Sequence, residues 1–387
     1  MPDKANVSEK KEELTIKRAP LYFSHINLLR GFAALSVVVY HVIELFPWKD
    51  FPIKPSVFLW FRVGWMGVDL FFVISGFVIM LSALKLQQTE TVISAKKIFI
   101  RRRAARIIPL YLLTGTIFII FIKPEILLYP FSLLIKHVFT HLSFTHNLLP
   151  DTHGSIDGPN WTVANEFQFY LFVFILMPFL KRLHPVALLI GGIAIAFISR
   201  AIAFMIAGYY QWDVFLRFQY ATQMISMMDE FCFGMLIAKL VIQENNRILC
   251  PLENFLKSKY FWTVTGVTII MFHITFKIYW STPDYWYNPF MVICWRSLLG
   301  ASFAMLIVIT ILVPSDLFLN NPVYRVGYYL GEISYGIYLW HLPVLLALKK
   351  AGFQSPLKFM VTTIFFVLVL SSLSWHFFEK PIIKRFK

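Results

Sequence analysis

The fold of this chain is decided by stretches such as MGVDLFFVISGFVIMLSAL, residues 66–84, which carries one charged side chain, Asp69, near its start. A run of this length matches the roughly 17–25 residues with which a helix crosses the hydrocarbon core of a bilayer. It lacks the period-two alternation that is typical of a membrane barrel strand. Residues 66–84 therefore predict one transmembrane helix.

Nine similar apolar blocks lie on either side of this one. Working outward, they are Leu28–Phe46, Ile107–Ile122, Trp161–Leu180, Val186–Ala207, Met224–Val241, Phe261–Tyr279, Met291–Val313, Ile333–Ala347 and Phe359–Phe378. Of the 387 residues, 58% are hydrophobic and only 15% are charged, whereas a soluble domain needs more charge to cover its surface. The sequence predicts an all-α polytopic membrane protein with about ten transmembrane helices.

The basic residues, which give a net charge of +15, are concentrated in alternate loops. The basic segments contain Lys4, Lys10, Lys11, Lys17, Arg18, Lys96, Lys97, Arg101, Arg102, Arg103, Arg106, Lys181, Arg182, Lys239, Arg247, Lys257, Lys259, Lys380, Lys384, Arg385 and Lys387. The opposite loops hold only a few, such as Lys49, Lys54, Arg62 and Lys136. Because loops rich in Lys and Arg are cytoplasmic, both termini are predicted to be cytoplasmic. No nucleic-acid partner is expected, since the basic residues do not form one soluble face.

Two segments differ from the apolar blocks. Residues 1–25 are polar and charged, which predicts a short disordered cytoplasmic arm before a transmembrane domain of residues 26–387. Phe131–Phe144 is amphipathic and predicts a helix lying on the membrane surface. Its His137 and His141, followed by His146, have a spacing that metal sites use, but without a nearby acid or cysteine no metal site is predicted.

Four ionisable side chains in the apolar blocks are predicted to lie at a similar depth. Ionisable groups are costly inside hydrocarbon, so each is a candidate functional residue. His41, Asp69, Glu166 and His341 lie on four different predicted helices, towards the extracytoplasmic side. Structural alternatives stay open: His41 and Glu166 as helix-packing hydrogen bonds, Asp69 as a helix-start residue, and His341 as an interface residue beside Trp340.

Three arginines are predicted on the cytoplasmic side. Arg103 and Arg106 share one helix face, and Arg30 begins the helix on which His41 lies roughly 16 Å further along. Arginine binds phosphates through two parallel hydrogen bonds. This arrangement suits a coenzyme A thioester whose nucleotide stays at the arginines while its acyl carbon reaches His41. The alternative, that Arg103 and Arg106 only anchor the cytoplasmic side, stays open.

Six segments together carry a resemblance to a known family. They are LLRGFAALSVVVYHV (28–42), GVDLFFVISGFVIM (67–80), RRRAARIIPLY (101–111), NWTVANEFQFYLF (160–172), ISYGIYLWHLPV (333–344) and FFEKPIIKRF (377–386). In this order they resemble the acyltransferase 3 family of membrane acyltransferases. The likeness covers nearly the whole chain, from Ile26 to Phe386.

The resemblance implies a fold of about ten helices, a bacterial inner-membrane location and a donor such as acetyl-CoA or another acyl-CoA. It implies O-acylation of a carbohydrate or glycolipid acceptor, for example an exopolysaccharide or O-antigen. The family's motif residues correspond here to Arg30, His41, Asp69, Arg103 and Arg106. The family's Trp-Ser-Leu reads WTV in this chain, at residues 161–163, with the following glutamate retained at position 166.

The mechanism expected from these residues makes His41 the general base for the acceptor hydroxyl, with Asp69 or Glu166 orienting its ring. Trp161 and His341 are expected to bind substrate or to support the site. A covalent intermediate on His41 is a second route. Many family members add a hydrolase-like domain after the membrane region. Since this sequence stops at Lys387, transfer is expected to be direct or to a separate partner protein of polysaccharide assembly.

Two other classes of function compete with the acyltransferase. Buried Asp, Glu and His also suit a proton-coupled transporter or a lipid-linked sugar flippase. Such a transporter would not need coenzyme A, so donor binding separates the two. A non-catalytic membrane scaffold is the last alternative, because it does not explain why four ionisable residues lie at a similar predicted depth.

Overall fold

The computed structural model describes residues 24–46, 60–243, 259–313 and 320–386. Within these ranges the regular structure is helical and no strand occurs, which confirms the predicted all-α fold. The predicted arm of residues 1–25 falls almost entirely outside the described residues. So do the basic residues Lys49, Lys54, Arg247 and Lys257 of the predicted loops.

The α-helices of the described residues are numbered here in chain order. They are α1 (Ser24–Glu44), α2 (Gly67–Thr89), α3 (Val92–Ile117), α4 (Phe131–Leu142), α5 (Trp161–Leu176), α6 (Pro185–Tyr209), α7 (Val214–Ala221), α8 (Met228–Gln243), α9 (Lys259–Ser281), α10 (Arg296–Leu312), α11 (Pro322–Glu332), α12 (Ser334–Lys350), α13 (Pro356–Ser374) and α14 (Lys380–Arg385). The amphipathic segment predicted as a surface helix is α4.

Eight helical segments of the described residues are long and apolar enough to cross a membrane. They are His25–Glu44, Phe61–Thr89, Val92–Ile122, Gly158–Phe179, Pro185–Tyr209, Phe261–Ser281, Met291–Leu312 and Pro356–Arg385. Several carry large apolar side chains on the outer surface, among them Ile175, Ile190, Ile270 and Phe365. Apolar groups exposed in this way are stable against lipid rather than water. The chain is therefore an integral, multi-pass membrane protein.

The two remaining predicted spans correspond to shorter helices. α8 has 16 residues and α12 has 17, whereas a full crossing needs about 20. Most side chains of α12 are buried among the other helices. The apolar side chains of these helices therefore pack inside the protein. The count of ten transmembrane helices and the cytoplasmic location of both termini stay predictions.

The centre of the molecule is α2, which crosses α8 at very short range. A Cβ atom added at Gly76 would lie 2.0 Å from the carbonyl oxygen of Phe231, and one added at Gly234 would lie 2.0 Å from that of Val73. Only glycine allows the two backbones to approach so closely. Small residues at this crossing therefore fix the position of α2, which carries Asp69 and Ser75.

Two π-helical turns place charged residues in the interior. Met291–Trp295 leads directly into Arg296 at the start of α10, and Trp375–Glu379 joins α13 to α14. Arg296 and Glu379 are both almost completely buried. Because a π turn contains an extra residue, it changes the direction of the side chains that follow it and is frequent at functional sites.

Candidate active site

Three arginines and a glutamate surround one narrow cavity of about 90 Å³. Arg30 comes from α1, Arg103 and Arg106 from α3, and Glu166 from α5. We call this space the arginine cavity. The structure thus brings together the three arginines that the sequence predicts as a phosphate site, although Arg30 and Arg106 are 76 positions apart in the sequence.

Arg106 is held from several sides. Its guanidinium lies 3.8 Å from the carboxylate of Glu379 and donates to the carbonyl oxygen of Glu332 at 3.3 Å. It also lies over the ring of Trp375, 5.0 Å from the centroid. Such contacts reduce the number of conformations open to a long side chain, so Arg106 is preorganised for a bound anion.

Glu166 accepts two hydrogen bonds at the same carboxylate oxygen. The hydroxyl of Ser75 donates at 2.7 Å and that of Tyr170 donates at 2.6 Å. Ser75 lies on α2, and the helix rises roughly 9 Å between Asp69 and Ser75. Glu166 therefore contacts α2 at a position roughly 9 Å along the helix axis from Asp69.

A second, wider cavity of about 860 Å³ contains His41 and Asp69. Its wall also includes Trp161 and several other aromatic side chains, among them Trp65, Tyr279 and Trp286. We call it the histidine cavity. Val68 and Tyr338 line both cavities, so the arginine cavity and the histidine cavity adjoin at these two residues.

The His41 ring has a defined tautomer. Its Nδ1 lies 3.0 Å from the carbonyl oxygen of Val37, and since a carbonyl oxygen only accepts, Nδ1 carries the proton. The lone pair is then on Nε2, which is the atom able to take a proton from a substrate hydroxyl. This geometry suits a general base.

His341, on α12, packs against His41, on the neighbouring helix α1. The two ring centroids are 5.0 Å apart with an angle of 39° between the planes. Nδ1 of His341 is hydrogen bonded to the carbonyl oxygen of Tyr338, and its buried Nε2 has no hydrogen-bond partner within the described ranges. His341 is completely buried, so it supports the His41 ring rather than lying at the surface of the cavity.

Asp69, one of the two acids expected to orient His41, is held in an ion pair with another side chain. Its carboxylate accepts from the guanidinium of Arg296 at 2.6 Å, and both side chains are buried. A buried arginine stays charged and needs a partner, so Asp69 is committed to this ion pair. Glu166 lies in the arginine cavity. In the described part of the chain, the His41 ring is hydrogen bonded to the carbonyl oxygen of Val37.

Sequence reasoning missed several residues that complete the two cavities. Arg296, Glu379, Ser75 and Tyr170 make the contacts described above, and Tyr338 separates the cavities. The hydroxyl of Tyr338 donates to the carbonyl oxygen of Pro159 at 3.0 Å. Arg296 lies inside the apolar block Met291–Val313, and an ionisable residue in such a block was the signal that could have identified it.

Other buried polar residues pair or stack with one another away from the two cavities. Arg200 pairs with Asp229 at 2.7 Å in the interior. The rings of His141 and His146 stack at 4.1 Å, nearly parallel, and burial lowers the pKa of His141 to about 4 and that of His146 to about 3. No group of three or more His, Cys, Asp or Glu that fits a metal ion is found among the described residues.

Comparison with known proteins identifies the class of this membrane protein. The model of the family described as "Acyltransferase domain" (Acyl_transf_3) matches residues 23–376. The chain therefore belongs to the acyltransferase 3 family, as its motifs predicted, and it is a membrane acyltransferase. No solved structure is significantly similar to it.

Curated relatives show moderate similarity. A candidate acetyltransferase of Acidianus two-tailed virus, ORF330, is 28% identical over 88% of this chain and 88% of its own length. A candidate peptidoglycan O-acetyltransferase of Bacillus subtilis, YrhL, is 27% identical over 93% of this chain. The O-acetyltransferase OatA of Staphylococcus aureus is 25% identical over 95%. The chain spans only 55% and 58% of the lengths of the last two proteins.

Proposed function

We propose that the protein transfers an acetyl group from acetyl-CoA to a hydroxyl of a carbohydrate or glycolipid acceptor. The observation that carries this proposal is the shared wall between the arginine cavity and the histidine cavity at Val68 and Tyr338. A donor with phosphates at one end and a thioester at the other would place its phosphates at the cationic cavity and its thioester at the adjoining cavity that contains a base. The names of the bacterial O-acetyltransferase relatives support the acetyl group and the hydroxyl acceptor.

In the proposed reaction, the phosphates of coenzyme A bind at Arg30, Arg103 and Arg106 through charge-assisted hydrogen bonds. The pantetheine arm extends past Tyr338 and places the thioester carbonyl near His41. Nε2 of His41 takes the proton from the acceptor hydroxyl while the oxygen attacks the thioester carbon. The carbon–sulfur bond then breaks, and the imidazolium returns the proton to the leaving thiolate. The products are an acetyl ester and free coenzyme A.

The proposal gives the protein an orientation and a location. The arginine cavity opens to the cytoplasm, where acyl-CoA is available, and the histidine cavity opens to the other face of a bacterial inner membrane. The prediction that both termini are cytoplasmic agrees with this orientation. Transfer to a separate partner protein of polysaccharide assembly is an alternative final step with the same donor chemistry.

The test compares wild-type protein with His41→Ala in nanodiscs, using radiolabelled acetyl-CoA. Both proteins should bind the donor, and turnover by hydrolysis or by transfer to a glycan extract should fall by roughly 10²–10⁴-fold in His41→Ala. Equal turnover in both proteins would exclude His41 as the base. Absence of donor binding by the folded wild type would instead favour a transporter.

A further inference from the structure

Five ionisable side chains meet in the interior of the protein, where α2, α6, α8 and α10 pack together. They are Asp69 on α2, Arg200 on α6, Asp229 and Glu230 on α8, and Arg296 on α10, and all five are buried. We call them the ionic cluster. Asp69 and Arg296 also line the histidine cavity, so the protonation state of the cluster decides which charges that cavity presents.

Each arginine of the ionic cluster is paired with an aspartate. Arg296 donates to Oδ1 of Asp69 at 2.6 Å, and Arg200 donates to Oδ1 of Asp229 at 2.7 Å. The hydroxyl of Ser297 donates to the other carboxylate oxygen of Asp229. Within the described ranges, Glu230 forms no ion pair with either arginine.

Glu230 is thus the unpaired member of the ionic cluster. It is completely buried, and it packs on α10, where a Cβ atom added at Gly300 would lie 3.1 Å from its Cγ. Its carboxyl group is in hydrogen-bonding contact with that of Asp69, yet Oδ2 of Asp69 and both carboxyl oxygens of Glu230 receive no hydrogen bond from another described group. Ionised carboxylates only accept hydrogen bonds. A hydrogen bond between these two groups therefore requires a proton on one of them.

The charge of the ionic cluster gives a second reason for that proton. With every group ionised, three acids and two arginines leave one negative charge uncompensated. Such a charge is costly in the interior, where a neutral carboxyl is not. The start of α8 favours an acid, but this helix-dipole effect is small in comparison. One bound proton makes the cluster neutral.

We propose that Glu230 carries this proton and donates it in a hydrogen bond to Oδ2 of Asp69. The proton belongs to Glu230 because the guanidinium of Arg296, at 2.6 Å, favours an ionised Asp69. Asp69 is then held at one oxygen by Arg296 and at the other by Glu230, which keeps the guanidinium in its place in the wall of the histidine cavity. The proton is present in the resting protein, so its detection needs neither the donor nor the acceptor of the proposed function.

Infrared spectroscopy of the protein in nanodiscs tests for the proton, because a protonated carboxyl absorbs at a higher frequency than a carboxylate. At about pH 7 an ordinary glutamate is ionised. The wild type should nevertheless show a protonated-carboxyl band, part of which shifts when its glutamates are labelled with carbon-13 at the side-chain carboxyl. Glu230→Gln should remove intensity from this glutamate-derived part. Glu90→Gln, the same substitution at an exposed position, should leave it unchanged.

Thermal unfolding separates the need for a hydrogen-bond donor at position 230 from the need for a charge. Glutamine has the shape of a protonated glutamic acid, and its amide can donate to Asp69, so Glu230→Gln should unfold close to the wild-type temperature. Glu230→Met has a similar size but no donor. It should unfold several degrees lower, because Oδ2 of Asp69 then stays buried without a hydrogen bond.

The labelled wild type can overturn the proposal by itself, whether or not the variants fold. Absence of a glutamate-derived band would show that Glu230 is ionised. An unchanged band in Glu230→Gln would place the proton on another residue. An unfolding temperature of Glu230→Gln as low as that of Glu230→Met would mean that position 230 needs a charge rather than a donor.

Discussion

At the scale of single residues, the site depends on which groups hold the His41 ring. The ring is fixed at Nδ1 by a backbone carbonyl and on one side by the ring of His341, 5.0 Å away. In a Ser-His-Asp triad the corresponding support is a carboxylate. Here Asp69, one of the two acids expected in that role, neutralises Arg296 instead. The position of the His41 ring is therefore set by packing rather than by a charge.

Replacement of His341 by alanine should lower turnover by roughly tenfold to a hundredfold, because a small displacement of a catalytic group is costly. Donor affinity should stay unchanged, since His341 lies away from the arginines. His341→Phe, which restores a ring, should recover most of the turnover. Steady-state kinetics with radiolabelled acetyl-CoA measure both effects, and wild-type turnover in His341→Ala would contradict the supporting role.

At the scale of helices, the sequence contained enough information for the elements but not for their contacts. The apolar blocks predicted the spanning helices, and the spacing of Arg30, Arg103 and Arg106 predicted one phosphate site. Spacing along a helix fixes depth but says little about which neighbour a side chain faces. The pairing of Asp69 with Arg296, 227 residues apart, depends on how α2 packs against α10. For this reason it could not be predicted from one sequence.

The crossing of α2 and α8 should be the part of the fold most sensitive to a small change. Gly234→Ala places a methyl group against the carbonyl oxygen of Val73 and should destabilise the protein by roughly 3 kcal/mol. Gly191→Ala is the matched control, because no atom lies within 4 Å of an added Cβ there. Thermal unfolding in detergent compares the two variants. Similar midpoints for both would show that the close crossing does not limit stability.

The stacked pair of His141 and His146 should make stability depend on pH. The unfolded chain binds protons on these histidines below about pH 6.5, whereas the folded chain resists protonation down to about pH 4 for His141 and about pH 3 for His146. Stability should therefore fall as the pH is lowered from about 6.5 to about 4. Asp157, whose pKa is raised by burial, acts in the opposite direction.

His146→Phe isolates this effect, because all other groups are the same in both proteins. The variant should lose less stability than the wild type over the same range, by at most roughly 1.4 kcal/mol per pH unit. Unfolding midpoints measured at several pH values give the two slopes. Parallel slopes would mean that His146 is protonated equally in the folded and unfolded states.

At the scale of the whole molecule, the arginine cavity and the histidine cavity adjoin inside the helix bundle, and the proposed function places one donor across both. Hydrocarbon forms a barrier of about 30 Å to charged groups, and a donor bound in this way would cross part of it within protein. The side chains of Val68 and Tyr338 are the section common to both cavities. These two side chains form the partition that the proposed donor would have to pass.

That partition also has an electrical consequence. If each cavity faces one aqueous compartment, as proposed, the insulation between the compartments depends on the ring of Tyr338, which a hydrogen bond to the carbonyl oxygen of Pro159 holds in place. Tyr338→Ala should make liposomes that contain the protein leak protons faster, as a pH-sensitive dye inside them would report. Tyr209→Ala, at a tyrosine that is 81% exposed, should leave the vesicles tight. The proposed donor route thus carries the added requirement that the membrane potential stays intact while the donor is bound.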